Sequence, residues 1–480
     1  MPPAGKIGRS DLFGPAAALT TRRRTTEQEG CDAGMGKPRA ASRTTLLLTP
    51  CAALLVAGFA LPPDPGARYD TRVALSAPAA TSPAGTATGT AEPSPSDLAG
   101  SALKRIDPAA LQASVERAAK ALGVPGAMVL LDTPQGAFRA GVGTTESGTS
   151  VPPTAGTHFR IASNTKTMTS ALILLLAQDG RLKLSDPVSD YVPGVPNGGR
   201  ITIDQLLKMR SGLYNYTDAP ELSASLDAHP AQARTPQEML AIAFSRPPNF
   251  PPGASYEYSN TNYVLLGLVA EKAGGQPLER QFRQRLFAPL GLSGTSLPGL
   301  RDTSLPAPFS HGYMYGGTAY ALTDKPYPAD MRAAAESGKL KPLDYTHQNA
   351  SYAYAAGGAV STADDLARWI RSLTTGKVLN PAFQKQWLDS PQPEDPKAAD
   401  GQEYGYGIAH QRFTPQAGMY FHGGELPGFN SFIGHDPDND VTLVVWTNLT
   451  VSPDGRTTAN AMLPTILNQV YAGAAFPGSY

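Results

Sequence analysis

A long tract of small residues limits where this chain of 480 residues can fold. In residues 71–100, Ala, Gly, Pro, Ser and Thr supply 24 of 30 positions, and no aromatic residue occurs. Such a segment cannot bury enough apolar surface to offset the entropy lost on ordering. We therefore predict a disordered linker over 64–100, which confines the folded body to residues 101–475.

Composition excludes several classes of protein. Hydrophobic residues make up 41% of the chain, enough for a large core, whereas 40 basic side chains balance 40 acidic ones. A neutral chain has no general electrostatic attraction for nucleic acid, so we expect no such partner. The two cysteines are too few for a disulfide scaffold. The histidines lack metal-site spacing, and we predict neither a metal nor a cofactor.

The N-terminal region resembles an export signal. From Met35 a basic stretch precedes an uncharged, mostly apolar run that ends near residue 63. This order is typical of a secretory signal, and Pro50 together with the short apolar halves disfavours a membrane span. We predict a signal segment over 35–63, a non-native or extended N-terminus over 1–34, and secretion or cell-wall association without a stable span after cleavage.

The folded body carries signals for a mixed α/β fold. Two apolar runs flank Pro134–Gln135–Gly136 and predict a β-hairpin, and three strand patterns follow residue 416. Between them, helical periods dominate. We predict an antiparallel sheet of five or more strands flanked by helices. Residues 101–165 and 350–475 form its α/β part, and 166–349 form a mostly helical insertion.

One Ser-x-x-Lys pair stands where a buried helix begins. Ser163 and Lys166 precede the apolar run MTSALILLLAQ. Residues three apart share a helix face, and burial disfavours the charged ammonium, so Lys166 could accept the hydroxyl proton of Ser163. The alternative is a capping serine with a surface lysine. A second pair, Ser101 and Lys104, adjoins the linker and fits that alternative better.

Two further motifs favour the catalytic interpretation. Tyr258–Ser–Asn260 lies just before another apolar helix, and His422–Gly–Gly424 ends a strand pattern. A phenol can shuttle a proton to a leaving group, and glycines let a substrate backbone approach a strand. Each motif alone fits an ordinary helix start or turn. Together, in this order, they predict a shared site.

The quoted motifs resemble the serine β-lactamase and penicillin-recognising enzymes, in particular class C β-lactamases and the actinobacterial type of D-alanyl-D-alanine carboxypeptidase. The blocks FRIASNTKTMTSALILLLAQDG, SGLYNYTD, YEYSNTNYV and HGGELPGFNSF carry the resemblance. It implies a β-lactamase/transpeptidase-like fold. It also implies that Ser163 is acylated, that Lys166 is its base, that Tyr258 relays a proton, and that Asn260 holds the substrate amide. His422 stands where relatives carry His or Lys.

The same resemblance implies the binding groups around the serine. The oxyanion hole would consist of the N–H groups of Ser163 and Glu425, beside Gly423 and Gly424 as substrate-binding positions. Carboxypeptidases of this type carry Thr-Gly-Thr after the histidine, whose hydroxyls help to bind a terminal carboxylate. Glu425 would instead oppose an anionic substrate end.

A carboxylate-binding arginine is also missing from its place. Counted from the motif, the position of that arginine is occupied by Ala409, and Arg412 is the nearby residue that could replace it. The resemblance further places Tyr352 and Tyr214 along the cleft, although each could equally be a structural tyrosine. Recognition of a terminal carboxylate is therefore less well supported than the acyl-serine chemistry.

These observations lead to one functional prediction with named alternatives. We predict a serine hydrolase with an acyl-enzyme intermediate, acting as a D-alanyl-D-alanine carboxypeptidase that also binds β-lactams as inhibitors. The alternatives are an esterase, a class C-like β-lactamase, and a penicillin-binding sensor that acylates without turnover. The expected partner is a peptidoglycan stem peptide or a small ester or amide, and we expect a monomer.

Overall fold

The computed structural model describes residues 102–323, 325–397, 401–474 and 476, which belong to one compact unit. The strands are β1 Gly126–Thr133, β2 Gly136–Gly143, β3 Phe159–Arg160, β4 Tyr313–Met314, β5 Leu343–Asp344, β6 Val360–Ser361, β7 Gln392–Pro393, β8 Glu403–Tyr404, β9 Ala409–Thr414, β10 Ala417–Leu426, β11 Phe429–Asp436 and β12 Val441–Thr447. The helices are α1 Pro108–Ala121, α2 Thr165–Gln178, α3 Ile203–Leu207, α4 Pro220–Ala228, α5 Pro236–Phe244, α6 Asn260–Gly274, α7 Leu278–Phe282, α8 Ala288–Leu290, α9 Ala319–Leu322, α10 Ala329–Glu336, α11 Tyr354–Gly357, α12 Ala363–Thr374, α13 Pro381–Leu388 and α14 Thr458–Val470.

Eight strands form one antiparallel sheet in the order β2-β1-β12-β11-β10-β9-β8-β7. The early hairpin joins the late strands because β1 pairs directly with β12, as in Leu130 opposite Val444. The prediction of a single antiparallel sheet flanked by helices is confirmed. Consecutive strands of this sheet are antiparallel neighbours except at the crossover from β2 to β7, and β1 and β12 pair although they are far apart in the sequence.

The two faces of the sheet pack against different layers. Directly paired residues point to the same side of a sheet. On one side, Ser431 and Trp446 are neighbours, and the ring of Phe159 stacks on Trp446 at 4.7 Å. On the other side, Asn430 lies beside Thr447 and accepts hydrogen bonds from the first turn of α14. The helix that begins after Ser163 therefore lies on the side opposite α14.

Helix α2 forms the centre of the helical layer. Its residues from Thr165 to Leu176 are all buried, which agrees with a sequence that is apolar nearly all round. The helix stops before Gly180, whose φ of 70° suits glycine. Burial on every side fixes the position of α2, and with it the position of the serine one turn before it.

Most of the other helices lie between β3 and β6. These two short strands pair antiparallel, with Arg160 opposite Val360, so the chain leaves and re-enters the sheet region at the same place. Within this segment α3 begins at a capping box in which Thr202 and Gln205 satisfy each other's backbone N–H groups, as predicted from the sequence. The segment thereby places both α2 and α6 beside the sheet.

The predictions for residues 1–34, 35–63 and 64–100 lie outside the described residues, so export stays a prediction. Within the described part of the chain, no helix combines the length and the apolar character needed to cross a membrane.

Burial of α2 gives a stability prediction. Leu174 has 0% exposure, whereas Leu343 is 56% exposed. We expect Leu174→Ala to lower the free energy of unfolding by about 2–5 kcal/mol, because it leaves a cavity in a packed core. Leu343→Ala should change it by less than about 0.5 kcal/mol. Urea denaturation measures both, and equal effects would contradict the assignment of α2 to the core.

Candidate active site

The candidate nucleophile lies in a strained turn between β3 and α2. Residues Ala162–Asn164 form a 3₁₀ turn, and Ala162 has a φ of 50°, which a residue with a side chain rarely adopts. The Asn164 side chain donates to the carbonyl of Ile161 and to Ser431 Oγ on β11, both at 2.9 Å. These bonds tie the turn to the sheet and hold Ser163 at the pocket.

Lys166 is fully buried against three uncharged oxygen atoms. Its Nζ lies 2.9 Å from Ser163 Oγ, 2.8 Å from Asn260 Oδ1 and 2.6 Å from the carbonyl of Ala356. The amide and carbonyl oxygens can only accept, whereas the serine hydroxyl can also donate. A neutral amine would thus give its two N–H groups to Asn260 and Ala356 and turn its lone pair toward Ser163. This geometry suits a proton acceptor.

Asn260 occupies a supporting position at the start of α6. Its backbone N–H donates to Asn215 Oδ1 at 3.0 Å, and its Nδ2 donates to Thr217 Oγ1 at 3.1 Å. The side chain is therefore oriented with its oxygen toward Lys166. The sequence predicted that Asn260 holds a substrate amide; the structure uses this side chain to hold the lysine.

Tyr258 completes the wall beside the lysine. The centroid of its ring lies 4.9 Å from Lys166 Nζ, 6.4 Å from the His422 ring and 6.3 Å from the Tyr404 ring. Ser163 and Lys166 thus meet Tyr258 and His422 from three distant segments, as the sequence predicted.

The hydrogen-bond partners of the His422 ring select one tautomer of its neutral form. Nδ1 lies 2.6 Å from the carbonyl oxygen of Gly423, so Nδ1 must carry the hydrogen. Nε2 then accepts from the Tyr404 hydroxyl at 3.0 Å, and burial raises the pKa of that hydroxyl. Burial is the main cause that lowers the pKa of His422, to about 3. His422 is an uncharged wall of the site at neutral pH.

The two glycines after His422 have different neighbours. A Cβ on Gly424 would lie 2.3 Å from the Ile161 carbonyl oxygen and 2.7 Å from Asn164 Nδ2, in the turn that holds the serine. A Cβ on Gly423 would meet only the Ser431 carbonyl, at 3.9 Å. From the sequence, we predicted that both glycines leave room for a substrate backbone. For Gly424 the space is taken by the nucleophile turn itself.

A pocket opens along the free end of β10. Strand β9 pairs with β10 only as far as Phe421, so no strand among the described residues pairs with the segment after it on that edge. The pocket is lined by Ser163, Tyr258, Tyr404, Ala409, Phe421, His422, Gly423, Gly424, Glu425, Asn430 and Asn460. No lysine or arginine is among these described lining residues. The candidate oxyanion residues Ser163 and Glu425 share this pocket.

Arg412 is not brought to the pocket. Its side chain is 55% exposed and pairs with Asp438 at 3.4 Å. It lies three residues beyond Ala409 on β9, about 10 Å along the strand. The position of Arg412 therefore does not support the suggestion that it replaces the missing arginine. The number of residues between Arg412 and the motif could not show whether the strand runs toward the pocket or away from it.

Tyr352 and Tyr214 also lie outside the described pocket lining. Tyr352 is only 2% exposed, and its carbonyl accepts from the Tyr216 hydroxyl. Tyr214 packs its ring against the guanidinium of Arg246, whose central carbon lies 4.9 Å from the ring centroid. For both residues the structure favours the packing role that the sequence left open.

Four lining residues were not identified from the sequence: Tyr404, Phe421, Asn430 and Asn460. Tyr404, in the Tyr-Gly-x-Gly block, contacts His422, and Asn430 donates to the Gly424 carbonyl at 3.2 Å while its oxygen accepts from Ala459 and Asn460. Of these residues, only Tyr404 lies in a sequence pattern, the Tyr-Gly-x-Gly block, that could have indicated the site. The two asparagines depend on cross-strand pairing and on the approach of α14, which single-sequence patterns do not reveal.

The fold and the site define a serine hydrolase of the β-lactamase and transpeptidase type. The family model described as Beta-lactamase matches residues 111–465. The chain belongs to this family.

Individual relatives extend the comparison. The chain is 28% identical to protein flp of Staphylococcus aureus (strain N315), over 68% of this chain and 60% of that protein. Among solved structures it resembles a D-stereospecific amidohydrolase from Streptomyces sp., with 29% identity, a TM-score of 0.64 and coverage of 77% of this chain and 100% of that one. It also resembles D-amino acid amidase from Ochrobactrum anthropi SV3 complexed with D-phenylalanine, with 26% identity, a TM-score of 0.62 and coverage of 75% and 98%. The chain spans 60–66% of the length of the first curated relatives it matches.

The glycine contacts give a prediction about the site. Gly424→Ala should displace the nucleophile turn and lower the rate of acylation by about 100-fold, the effect of an ångström-scale misplacement. Gly423→Ala is the matched control and should stay within about threefold of wild type. Stopped-flow acylation measures both, and equal losses would contradict the proposed packing.

The lowered pKa of His422 predicts a pH-dependent stability. The folded state keeps this histidine neutral down to about pH 3, whereas in the unfolded state it takes up a proton near the ordinary histidine pKa of 6.5. Stability is therefore complete above the unfolded pKa and declines as the pH falls below it, by about 2 kcal/mol between pH 7 and pH 5. Relative to His422→Gln, the wild type should lose this amount in urea titrations. Parallel pH profiles would show that His422 is charged in the fold.

Proposed function

We propose that the protein is a serine amidohydrolase that cleaves an amide or ester bond through an acyl-enzyme on Ser163. The observation that carries this proposal is the position of Lys166 Nζ, 2.9 Å from Ser163 Oγ and held by two oxygens that can only accept. Lys166 takes the hydroxyl proton while Oγ attacks the carbonyl carbon. The oxyanion is stabilised by the N–H groups of Ser163 and Glu425.

The later steps return the proton. When the tetrahedral intermediate collapses, the carbon–nitrogen or carbon–oxygen bond breaks, and the leaving group receives the proton through Tyr258 and Lys166. A water molecule then attacks the acyl carbon, and Ser163 recovers its hydrogen as the acid departs. The contact of the Tyr258 ring with Lys166 supports this relay, since both groups face the same serine.

We propose amides or esters of small D-amino acids as the substrates. The D-stereospecific amidohydrolase and the D-amino acid amidase support this class, because each resembles the chain over most of its own length. The pocket also supports it, since no described lining residue supplies a cation for the terminal carboxylate of a peptide.

A D-alanyl-D-alanine carboxypeptidase is the second candidate. The blocks SGLYNYTD and YEYSNTNYV favour it, and release of D-alanine from a diacyl-Lys-D-Ala-D-Ala peptide would identify it. Hydrolysis of simple esters alone would favour the esterase, hydrolysis of a cephalosporin the β-lactamase, and a stable penicillin adduct without turnover the sensor. The monomeric state stays a prediction that sedimentation can test.

The mechanism predicts which lysine matters. Ser163→Ala and Lys166→Met should each lower kcat for D-phenylalanine amide by at least about 1000-fold, because one removes the nucleophile and the other its base. Lys104→Met is the control, since Lys104 belongs to the second Ser-x-x-Lys sequence and its exposed Nζ donates to the Asn468 carbonyl. Ammonia release and thermal melting are measured together. Full turnover in Ser163→Ala would refute the mechanism.

A further inference from the structure

A second cavity, of about 740 Å³, lies between the end of α4 and the loops that follow β4 and β5. It shares no lining residue with the pocket that holds Ser163. Leu226, Leu343 and Tyr345 give it apolar walls. Cavities of roughly 300–1,000 Å³ are typical of sites for small organic molecules. The cavity is therefore large enough for a ligand that the proposed reaction does not involve.

A buried amide faces this cavity with its oxygen unbonded. Gln348 lines the cavity and is 7% exposed. Its Nε2 donates to Thr318 Oγ1 at 2.9 Å, whereas its Oε1 has no hydrogen bond to any described residue. This oxygen keeps some exposed surface, so it is open to the cavity rather than sealed in the core. Because buried amide oxygens in proteins are almost always paired, the donor for Gln348 Oε1 comes from a molecule inside the cavity.

Asp227 brings a negative charge to the same wall. Its Oδ1 accepts from the backbone N–H of Thr318 at 2.9 Å, so one buried residue anchors both Asp227 and Gln348. A Cβ on Gly317 would lie 2.5 Å from Asp227 Oδ2, which shows that glycine leaves the room for this carboxylate. No lysine, arginine or histidine of the described chain forms an ion pair with Asp227. Its charge is therefore available to a ligand.

The other polar groups of the cavity also disfavour an anion. The carboxylate of Asp344 lines it and accepts from His311 Nδ1 at 2.8 Å. The hydroxyl of Tyr345 donates to the Gly316 carbonyl, and no lysine or arginine occurs among the described lining residues. His347 is exposed, and its Nδ1 lies 3.4 Å from a backbone carbonyl. Acceptors thus outnumber donors in the lining, and its electrostatic potential favours a cation.

The lining combines apolar walls with two acceptors held at one place. We propose that this cavity binds a small organic cation, a primary ammonium group carried by an apolar chain or ring. The ammonium donates to Gln348 Oε1 and to the Asp227 carboxylate, and the apolar part packs against Leu226 and Tyr345. The site needs neither Ser163 nor the pocket around it, so this inference does not rest on the proposed function.

Three compounds with the same phenethyl body and different head groups test this selection: phenethylamine, 2-phenylethanol and 3-phenylpropionate. Dissociation constants are measured by ligand-observed NMR titration of the full chain at low salt. We expect phenethylamine to bind about three- to fivefold more tightly than 2-phenylethanol, the effect of one partly solvated charge contact, and 3-phenylpropionate to bind most weakly. Equal affinities for the three compounds, or no binding of phenethylamine, would show that the cavity holds water only and would overturn the proposal.

Two variants locate the binding. Asp227→Asn keeps an oxygen for the Thr318 N–H and removes the charge, so the affinity for phenethylamine should fall about three- to fivefold while that for 2-phenylethanol stays the same. Gln348→Met removes the amide oxygen and should weaken phenethylamine binding in the same way. Asp438→Asn is the matched control, because it removes an exposed carboxylate that pairs with Arg412 and should change neither affinity. Unchanged phenethylamine binding in Asp227→Asn, at an unchanged melting temperature, would overturn the proposal.

A last control separates this cavity from the active site. Labelling Ser163 with a fluorophosphonate fills its pocket and should leave the affinity for phenethylamine unchanged. Loss of binding after labelling would place the amine beside Ser163 and overturn the second site. Because binding is measured without turnover, a protein that binds phenethylamine but hydrolyses no amide or ester would contradict the proposed function alone.

Discussion

The contact between Lys166 and Ser163 is the interaction on which the rest of the site depends. A lysine with no exposed surface is costly in its charged form, and the three oxygens around it are uncharged. The surrounding elements all constrain this one atom. Helix α2 supplies the lysine, Asn260 at the start of α6 supplies one acceptor, and α11 supplies the Ala356 carbonyl.

The sheet contributes the other half of the site. Because β9 stops pairing at Phe421, the strand β10 presents a free edge where a substrate can lie. Gly424 lets that edge approach the nucleophile turn, since any side chain there would strike the carbonyl of Ile161. Asn430 then joins the edge to α14. The position of the serine is thus set by packing from the helical layer and from the sheet together.

Local patterns predicted much of this arrangement, and their success has a physical reason. Ser163 and Lys166 are one helical turn apart at the start of a helix whose apolar sequence reveals its own burial. Spacing and burial together, with the two further motifs, therefore favoured their contact. The hairpin and the late strands were visible for the same reason. The suggestion for Arg412 is not supported, because a residue three positions farther along a strand lies well away from the motif. Asn430 and Asn460 could not be found from the sequence because their neighbours come from other segments.

The chemistry of the pocket departs from what its family resemblance alone implies. Burial lowers the pKa of His422 and keeps it neutral, and Glu425 stands where the resemblance to carboxypeptidases implies a hydroxyl. Neither residue offers a positive charge to a peptide carboxylate. The same nucleophile can therefore serve a different substrate without a change in the fold.

Peptide mapping after covalent labelling tests the central contact most directly. Wild type and Lys166→Met are treated with a fluorophosphonate, digested, and the labelled peptide is sequenced by mass spectrometry. We expect the label on Ser163 in wild type, and at least about 100-fold slower labelling of the same serine in Lys166→Met, because the base is lost. Labelling of a different residue, or equal rates in the two proteins, would contradict the account.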